Sequence, residues 1–295
     1  MKNIQGILFA LISSGTFGLI PLFSLPLIQG GMGVPSILFY RFLFSTIIIG
    51  GVCLLEKRCF KVSLKTFGIM SVLGIFYAAT AMALVFSYLY IPSGVATTIH
   101  FLYPILVTLI MVAFFKEKRS IALLLAAIIS LAGVALLCWS GEATLNPMGI
   151  FIALMTVVTY ATYIVGINKS GVGKMDSHIL TFYILLFGAF AFGIFAWATT
   201  GVEGIHTGGE WLNLILLAFF PTVVSDLTLI LAIKYAGSTT TSILGSMEPL
   251  VAVCVGVLFF REDFGWNSLI GLLFVLASVT MVILLQARRE VKGTG

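Results

Sequence analysis

The chain reads as about ten apolar stretches joined by short polar segments, with boundaries near 4–28, 34–55, 66–89, 92–115, 120–139, 147–167, 177–199, 211–232, 237–260 and 265–286. As helices, each is long enough to cross a hydrocarbon layer about 30 Å thick at about 1.5 Å per residue. Hydrophobic residues make up 60% of the chain and charged residues 9%, against about 25% charged in a soluble domain. No water-soluble fold of this size hides that much apolar surface. Ten spans with short loops use nearly all 295 residues, so no separate soluble domain is expected.

The first half recurs in the second. Tyr103-Pro104-Ile105-Leu106 is followed by Phe114-Phe115-Lys116-Glu117, and Glu248-Pro249-Leu250-Val251 by Phe259-Phe260-Arg261-Glu262, at an offset of 145 residues (249 minus 104). Near the start of each half, Gly6-Ile7-Leu8-Phe9-Ala10-Leu11 matches Gly149-Ile150-Phe151-Ile152-Ala153-Leu154. Two units are therefore expected, residues 1–141 with helices one to five and 142–295 with helices six to ten and a short tail. An odd number of spans per unit places the second copy upside down, as in many secondary transporters. The expected fold is an all-α integral membrane protein with ten transmembrane helices in two inverted five-helix repeats.

Charge placement gives the orientation. With the N-terminus inside, the inner joints receive Lys2, Lys57, Arg58, Lys61, Lys65, Lys116, Lys118, Arg119, Lys169, Lys174, Lys234, Arg288, Arg289 and Lys292, fourteen of sixteen basic residues. Only Arg261 falls outside, and Arg41 lies within a span. That asymmetry follows the positive-inside rule and puts both termini in the cytoplasm. The first apolar run lacks a small-x-small cleavage site and reads as a retained helix. A bacterial or archaeal cytoplasmic (inner) membrane is the expected home. Asn168-Lys169-Ser170 matches a glycosylation triplet but falls on the inner side, where no glycan is expected.

Several classes are disfavoured. The net charge of +5 sits between apolar runs and suits an anionic membrane surface, not nucleic acid. Cys53, Cys59, Cys138 and Cys254 show no CxxC spacing, so neither a metal nor a disulfide framework is expected. Gly30-Gly31-Met32-Gly33 lacks the lysine of a phosphate-binding loop. The three histidines, His100, His178 and His206, are too dispersed for the convergent set a lipid-modifying enzyme needs. No cofactor is expected.

In its paired motifs the chain resembles the EamA-like ten-helix exporters of the drug/metabolite transporter superfamily. The features that carry the likeness are Tyr40-Arg41-Phe42-Leu43, Tyr103-Pro104 with Phe115-Lys116-Glu117, Glu248-Pro249-Leu250-Val251-Ala252 and Phe260-Arg261-Glu262. Lys116 and Arg261 stand where the family pattern usually has glycine. The resemblance implies a central cavity between the halves and export of amino acids, other small metabolites or drugs.

Ionisable side chains inside spans are costly unless paired or hydrated, which makes them candidate sites. Arg41, about 10 Å deep in span two, can hold a carboxylate through its donor fork or pin helix packing. Glu248 precedes Pro249, which withholds an amide hydrogen and frees a carbonyl in the preceding turn. It can bind a cation, pair with Arg41 or exchange a proton. Asp226 has Ala81 at the repeat-related position, so the shared scaffold does not require it. His100 and Tyr103 sit near Pro104 and can line a cavity or make interhelix hydrogen bonds. Phe17, Tyr160 and Tyr163 are candidate cavity walls, and Pro104 and Pro249 candidate hinge or packing points. The expected function is secondary export of a small metabolite such as an amino acid by alternating access, with membrane lipids and protons as further candidate partners. The rivals are efflux of drugs or amphipathic cations and a non-transporting structural or sensor protein.

Overall fold

A computed structural model describes residues 2–87, 89–91, 96, 99–116, 121–137, 146–199, 201–260 and 265–293. Among these, every regular element is helical. They are α1 (Lys2–Phe17), α2 (Ile20–Gln29), α3 (Val34–Leu55), α4 (Leu64–Ser87), α5 (Tyr103–Phe115), α6 (Ile121–Leu137) and α7 (Pro147–Lys169). There follow α8 (Ser177–Ala198), α9 (Gly208–Ala218), α10 (Ser225–Ala236), α11 (Ser238–Leu244), α12 (Met247–Phe260) and α13 (Trp266–Gly293). Among the described residues, six stretches are long and apolar enough to cross a membrane: Ile4–Gln29, Val34–Leu55, Leu64–Ser87, Pro147–Lys169, Ser177–Ala198 and Gly208–Ala236. Shorter apolar helices cover Tyr103–Phe115, Ile121–Leu136 and Leu269–Met281. The expected joints at Pro92–Gly94, Glu117–Arg119 and Arg261–Glu262, and Cys138, lie outside the described residues.

Four expected spans are not continuous α-helices, and a proline accompanies each interruption. The first span breaks at Gly18-Leu19, just before Pro21. The fourth has a turn at Phe101-Leu102 before Pro104, which sits in the first turn of α5. The eighth passes through six residues of π-helix, Phe219–Val224, around Pro221. The ninth breaks at Gly245-Ser246 before Pro249 in the first turn of α12. The physical reason is shared: proline lacks an amide hydrogen and clashes with the preceding turn, so it starts a helix more readily than it continues one.

Close helix pairs join the two halves of the chain. α1 packs on α10, α3 on α8, α4 on α7 and α8, α5 on α7 and α11, and α6 on α13. Small residues allow the approach: a Cβ on Gly133 of α6 would lie 2.9 Å from the Gly271 carbonyl of α13, and one on Gly6 would lie 2.7 Å from the Ala236 Cβ. The polarity is inverted relative to a soluble protein. Leu54, Phe114, Ile194, Trp197 and Leu258 are exposed, whereas Ser45, Thr156, Thr181, Arg41, Asp226 and Glu248 are buried. Lipid solvates the outer face, and the interior collects the polar groups.

At one end of the bundle, basic joints meet. Arg58 pairs with Glu56 and Asp176, Tyr183 Oη donates to the Phe60 carbonyl at 2.8 Å, and Lys234 Nζ donates to the Met175 carbonyl at 3.2 Å. At the other end Glu203 accepts from Gly33 N–H at 2.6 Å, and its carbonyl accepts from Tyr40 Oη at 2.7 Å. Asp176 also caps α8, accepting from the His178 and Ile179 amides. Burial works against its charge, but the Ile179 amide, the Arg58 guanidinium and the His178 amide together hold its carboxyl below the ordinary 3.8. A carboxyl depressed in this way stabilises the fold above its unfolded value and loses that contribution as pH falls through its folded one. Asp176→Asn should therefore be less stable than the parent at neutral pH, by at most about 1 kcal/mol given solvent screening. Thermal unfolding in detergent against pH checks this: the gap should close below pH 3.8, and a gap independent of pH contradicts it.

Candidate functional site

The site begins with backbone. Pro221 cannot donate to the Leu217 carbonyl one turn earlier, and the Thr222 hydroxyl fills that place at 2.9 Å. Ser45 Oγ of α3 lies between two carbonyls, that of Arg41 at 2.6 Å and that of Ala218, just before the π-helical segment, at 3.0 Å. Arg41, one turn before Ser45, donates from Nε to Thr222 Oγ1 at 2.7 Å and from Nη2 to the Pro221 carbonyl at 3.3 Å. Its guanidinium lies 5.8 Å from the ring centres of Phe17 and Phe42. A cation can be held in an apolar interior on such terms because oxygen acceptors and ring faces replace part of its hydration. Arg41 is only 2% exposed. A small cleft of about 10 Å³ beside it is lined by Ile20, Ser24, Val34 and Leu217 among others.

Two carboxyl groups share this interior. Asp226 of α10 is 1% exposed and accepts from Tyr163 Oη at 2.5 Å. Glu248, in the first turn of α12, is 7% exposed. Arg41 is within electrostatic reach of both. Glu248 makes no ion pair with Arg41, and its side chain has no hydrogen bond among the described residues. Gly18 explains how α12 comes so close to the first span: a Cβ there would lie 2.5 Å from the Glu248 carbonyl and 2.9 Å from the Val251 Cβ. The break after Phe17 thus lets the chain pass the start of α12.

Aromatic rings connect these charges to the fourth span. Phe42 meets Tyr77 at 5.6 Å, Tyr77 stacks on Tyr163 at 4.9 Å, and Tyr163 lies 6.1 Å from Tyr160. Tyr160 packs edge-on to Tyr103 at 4.7 Å, and His100 sits 5.2 Å from each of those two rings. His100 Nδ1 shares a hydrogen bond with Thr156 Oγ1 at 2.8 Å, while Nε2 is buried without a partner among the described residues. The Tyr103 hydroxyl lies against Gly245, where a Cβ would approach it to 1.9 Å. Pro104 and Pro249 open α5 and α12, so both half-helices begin within this region.

The structure therefore gathers Phe17, Arg41, His100, Tyr103, Tyr160, Tyr163, Asp226 and Glu248 in one interior. The sequence reading did not single out Phe42, Ser45, Tyr77, Thr156 or Thr222, nor the hydroxyl run Ser238-Thr239-Thr240-Thr241-Ser242 with Ser246, all buried. The run was legible as a signal, since five consecutive hydroxyl side chains have no reason to face lipid. Among the described residues no three His, Cys, Asp or Glu side chains group as a metal site.

Apolar outer faces, helices long enough to span, and a buried polar centre assembled from both halves define a multi-pass membrane protein. The sequence profile of the EamA-like transporter family matches residues 4–139 and again 147–284, and the chain belongs to that family. Protein PecM of Dickeya dadantii (strain 3937) is 23% identical over 224 residues, 75% of this chain and 74% of its own. The uncharacterized transporter YvbV of Bacillus subtilis (strain 168) is 25% identical over 197 residues, 65% of this chain and 64% of its own. A solved crystal structure at 16% identity superposes with a TM-score of 0.80, covering 97% of this chain and 98% of that one; that likeness speaks to fold. The protein is a membrane transporter of this family.

Thr222 carries the most testable local claim. Thr222→Val removes one acceptor of Arg41 Nε and the donor to the Leu217 carbonyl together. Leaving buried polar groups unmet costs about 1–3 kcal/mol, so the variant should unfold at lower temperature in detergent, and Thr222→Ser should restore most of the loss. Equal stability of the valine and serine variants contradicts the arrangement.

Proposed function

We propose that the protein is a secondary exporter of a small zwitterionic metabolite such as an amino acid, bound between Arg41 and Glu248. The observation that carries this reading is a buried glutamate without an ion-pair partner among the described residues, set in the same tyrosine-ringed interior as a buried arginine. A carboxylate fits the guanidinium fork, and an ammonium fits Glu248 with the faces of Tyr103 and Tyr160 nearby. The working model has ten spans in two inverted five-helix units, residues 1–141 and 142–295. Cross-half packing and the proline-marked breaks in corresponding spans four and nine support it. Irregular backbone at that depth lets two bundles rock about a shared centre, which is alternating access. Both termini are placed in the cytoplasm and the protein in the inner membrane, on the strength of the basic joints gathered at one end.

A second reading, efflux of amphipathic cations, is favoured by one feature. Asp226 and Glu248 supply two carboxyl groups to one arginine, beside a continuous row of tyrosines. The two readings differ in what Arg41 must hold. Purified protein in liposomes should move zwitterionic amino acids, and Arg41→Gln and Glu248→Gln should each lower that transport at least about tenfold, equivalent to 1.4 kcal/mol. Movement of cations alone, unaffected by Arg41→Gln, supports the second reading. No movement of any amino acid or cation by correctly folded, oriented protein contradicts both.

A further inference from the structure

Asp226 is bonded on one side only. Tyr163 Oη donates to Oδ1 at 2.5 Å, while Oδ2 is buried and has no hydrogen-bond partner among the described residues. The neighbouring hydroxyls are committed elsewhere. Ser225 Oγ donates to the Ser13 carbonyl at 3.0 Å, and Ser13 Oγ returns the bond to the Ser225 carbonyl at 2.8 Å. Thr228 Oγ1 donates to the Val224 carbonyl at 2.7 Å, and Thr222 Oγ1 to the Leu217 carbonyl at 2.9 Å. These bonds tie α10 to α1 and to its own preceding turn, and none reaches the carboxyl. No ion pair to Asp226 is present among the described residues.

The titratable and charged groups around it are few. α7 contributes Tyr163 and Tyr160, α4 contributes Tyr77, and α3 contributes Arg41, which acts through space. Glu248 of α12 faces the same tyrosines. In α8, His178 is beside Asp176 and Tyr183 bonds to the Phe60 carbonyl; on α10 itself, Lys234 bonds to the Met175 carbonyl. The described side chains of α1 and α11 facing α10 offer hydroxyl groups and no charge.

An ionised carboxylate has about four acceptor positions and needs several donors when buried. A neutral carboxyl needs far less, and one tyrosine donor to its carbonyl-like oxygen meets most of it. We propose that Asp226 is the proton-carrying site of this transporter, with the proton on Oδ2 in the conformation described and Tyr163 fixing the group through Oδ1. This deepens the exporter reading and rests on it for the coupling, though not for the protonation.

The step is simple in its balance. A proton from water on one side of the membrane forms the Oδ2–H bond and neutralises the carboxylate. The same bond breaks when Asp226 faces water on the other side, and Tyr163 keeps its own proton throughout. The cargo's cationic group, held at Glu248 in the interior that Asp226 shares, stabilises the same negative charge as the proton does. Binding of either therefore favours loss of the other, the sign that export against an inward proton gradient requires. Asp226 adjoins the π-helical segment, where a change of helical register would alter what the carboxyl faces.

Infrared difference spectroscopy of protein in liposomes, titrated in pH without any cargo, tests the protonation. The wild type should show a carboxylic acid C=O band at neutral pH. Glu248, when neutral, has a band of its own, so the assignment is read by difference: Asp226→Asn should lose one component, Glu248→Gln should keep that component, and Tyr163→Phe should shift its frequency. A spectrum that Asp226→Asn leaves unchanged in this region, or that only Glu248→Gln changes, overturns the assignment. If Asp226→Asn does not fold, an unshifted band in Tyr163→Phe overturns it instead. Coupling is read with the common amino acids and with tetraphenylphosphonium as probes. For whichever the wild type moves, Asp226→Asn should lose dependence on the pH gradient and keep exchange of cargo across equal pH. Retained gradient dependence overturns the coupling. Failure to move any probe counts against the exporter reading and leaves the band to decide the protonation.

Discussion

A proline inside a membrane span leaves a carbonyl without its amide, and in hydrocarbon that carbonyl must find another donor. The rest of the interior is arranged around this requirement. At Pro221 the donor is the next residue's hydroxyl, Thr222 to the Leu217 carbonyl. Beside it, the Pro221 and Ala218 carbonyls meet Arg41 and Ser45 of α3. A backbone irregularity thereby fixes the one arginine within a described span at its place in the interior. Pro104 and Pro249 act differently: each begins a half-helix, and the turns before them bring Tyr103 and Glu248 to the same interior.

Packing and chemistry are joined through the tyrosines. Tyr77, Tyr163, Tyr160 and Tyr103 form an unbroken row of ring contacts from the arginine side to the histidine side. Rings of this kind give apolar area to the core and hydroxyls to the polar centre. Tyr163 spends its hydroxyl on Asp226, and Tyr103 lays its hydroxyl against Gly245, at the break in the ninth span. Movement at that break would be felt at Tyr103, and movement of the π-helical segment at Arg41. Both kinds of irregular backbone are thus in contact with the groups proposed to hold cargo.

Much of the site was legible because charge is scarce in these spans. Arg41, Asp226 and Glu248 stand out in apolar runs by type alone, and His100 and Tyr103 by their spacing to Pro104. Tyr77 and Thr222 were not legible, since a lone tyrosine or threonine in a span has many ordinary uses and only the fold shows which ring it stacks on or which carbonyl it meets. The break after Phe17 escaped for a related reason. Pro21 marks the start of α2, but Gly18-Leu19 has no strong stop signal, and only the fold shows the Glu248 carbonyl of α12 passing there, a contact more than two hundred positions away in the chain. The all-helical, multi-pass class followed from hydropathy, while the broken spans show how prolines divide an apolar stretch that reads as one unit.

The central claim is that Arg41 and Glu248 recognise opposite ends of one cargo. Titration calorimetry on the wild type, Arg41→Gln, Glu248→Gln and the double variant tests it, using a transported amino acid, its decarboxylated amine and its deaminated acid. Removing the cargo carboxylate should weaken binding to the wild type and to Glu248→Gln but make little difference to Arg41→Gln; removing the ammonium should make little difference to Glu248→Gln alone. If each single variant loses the same affinity for all three compounds, the two residues do not read separate ends of the cargo and the account is contradicted.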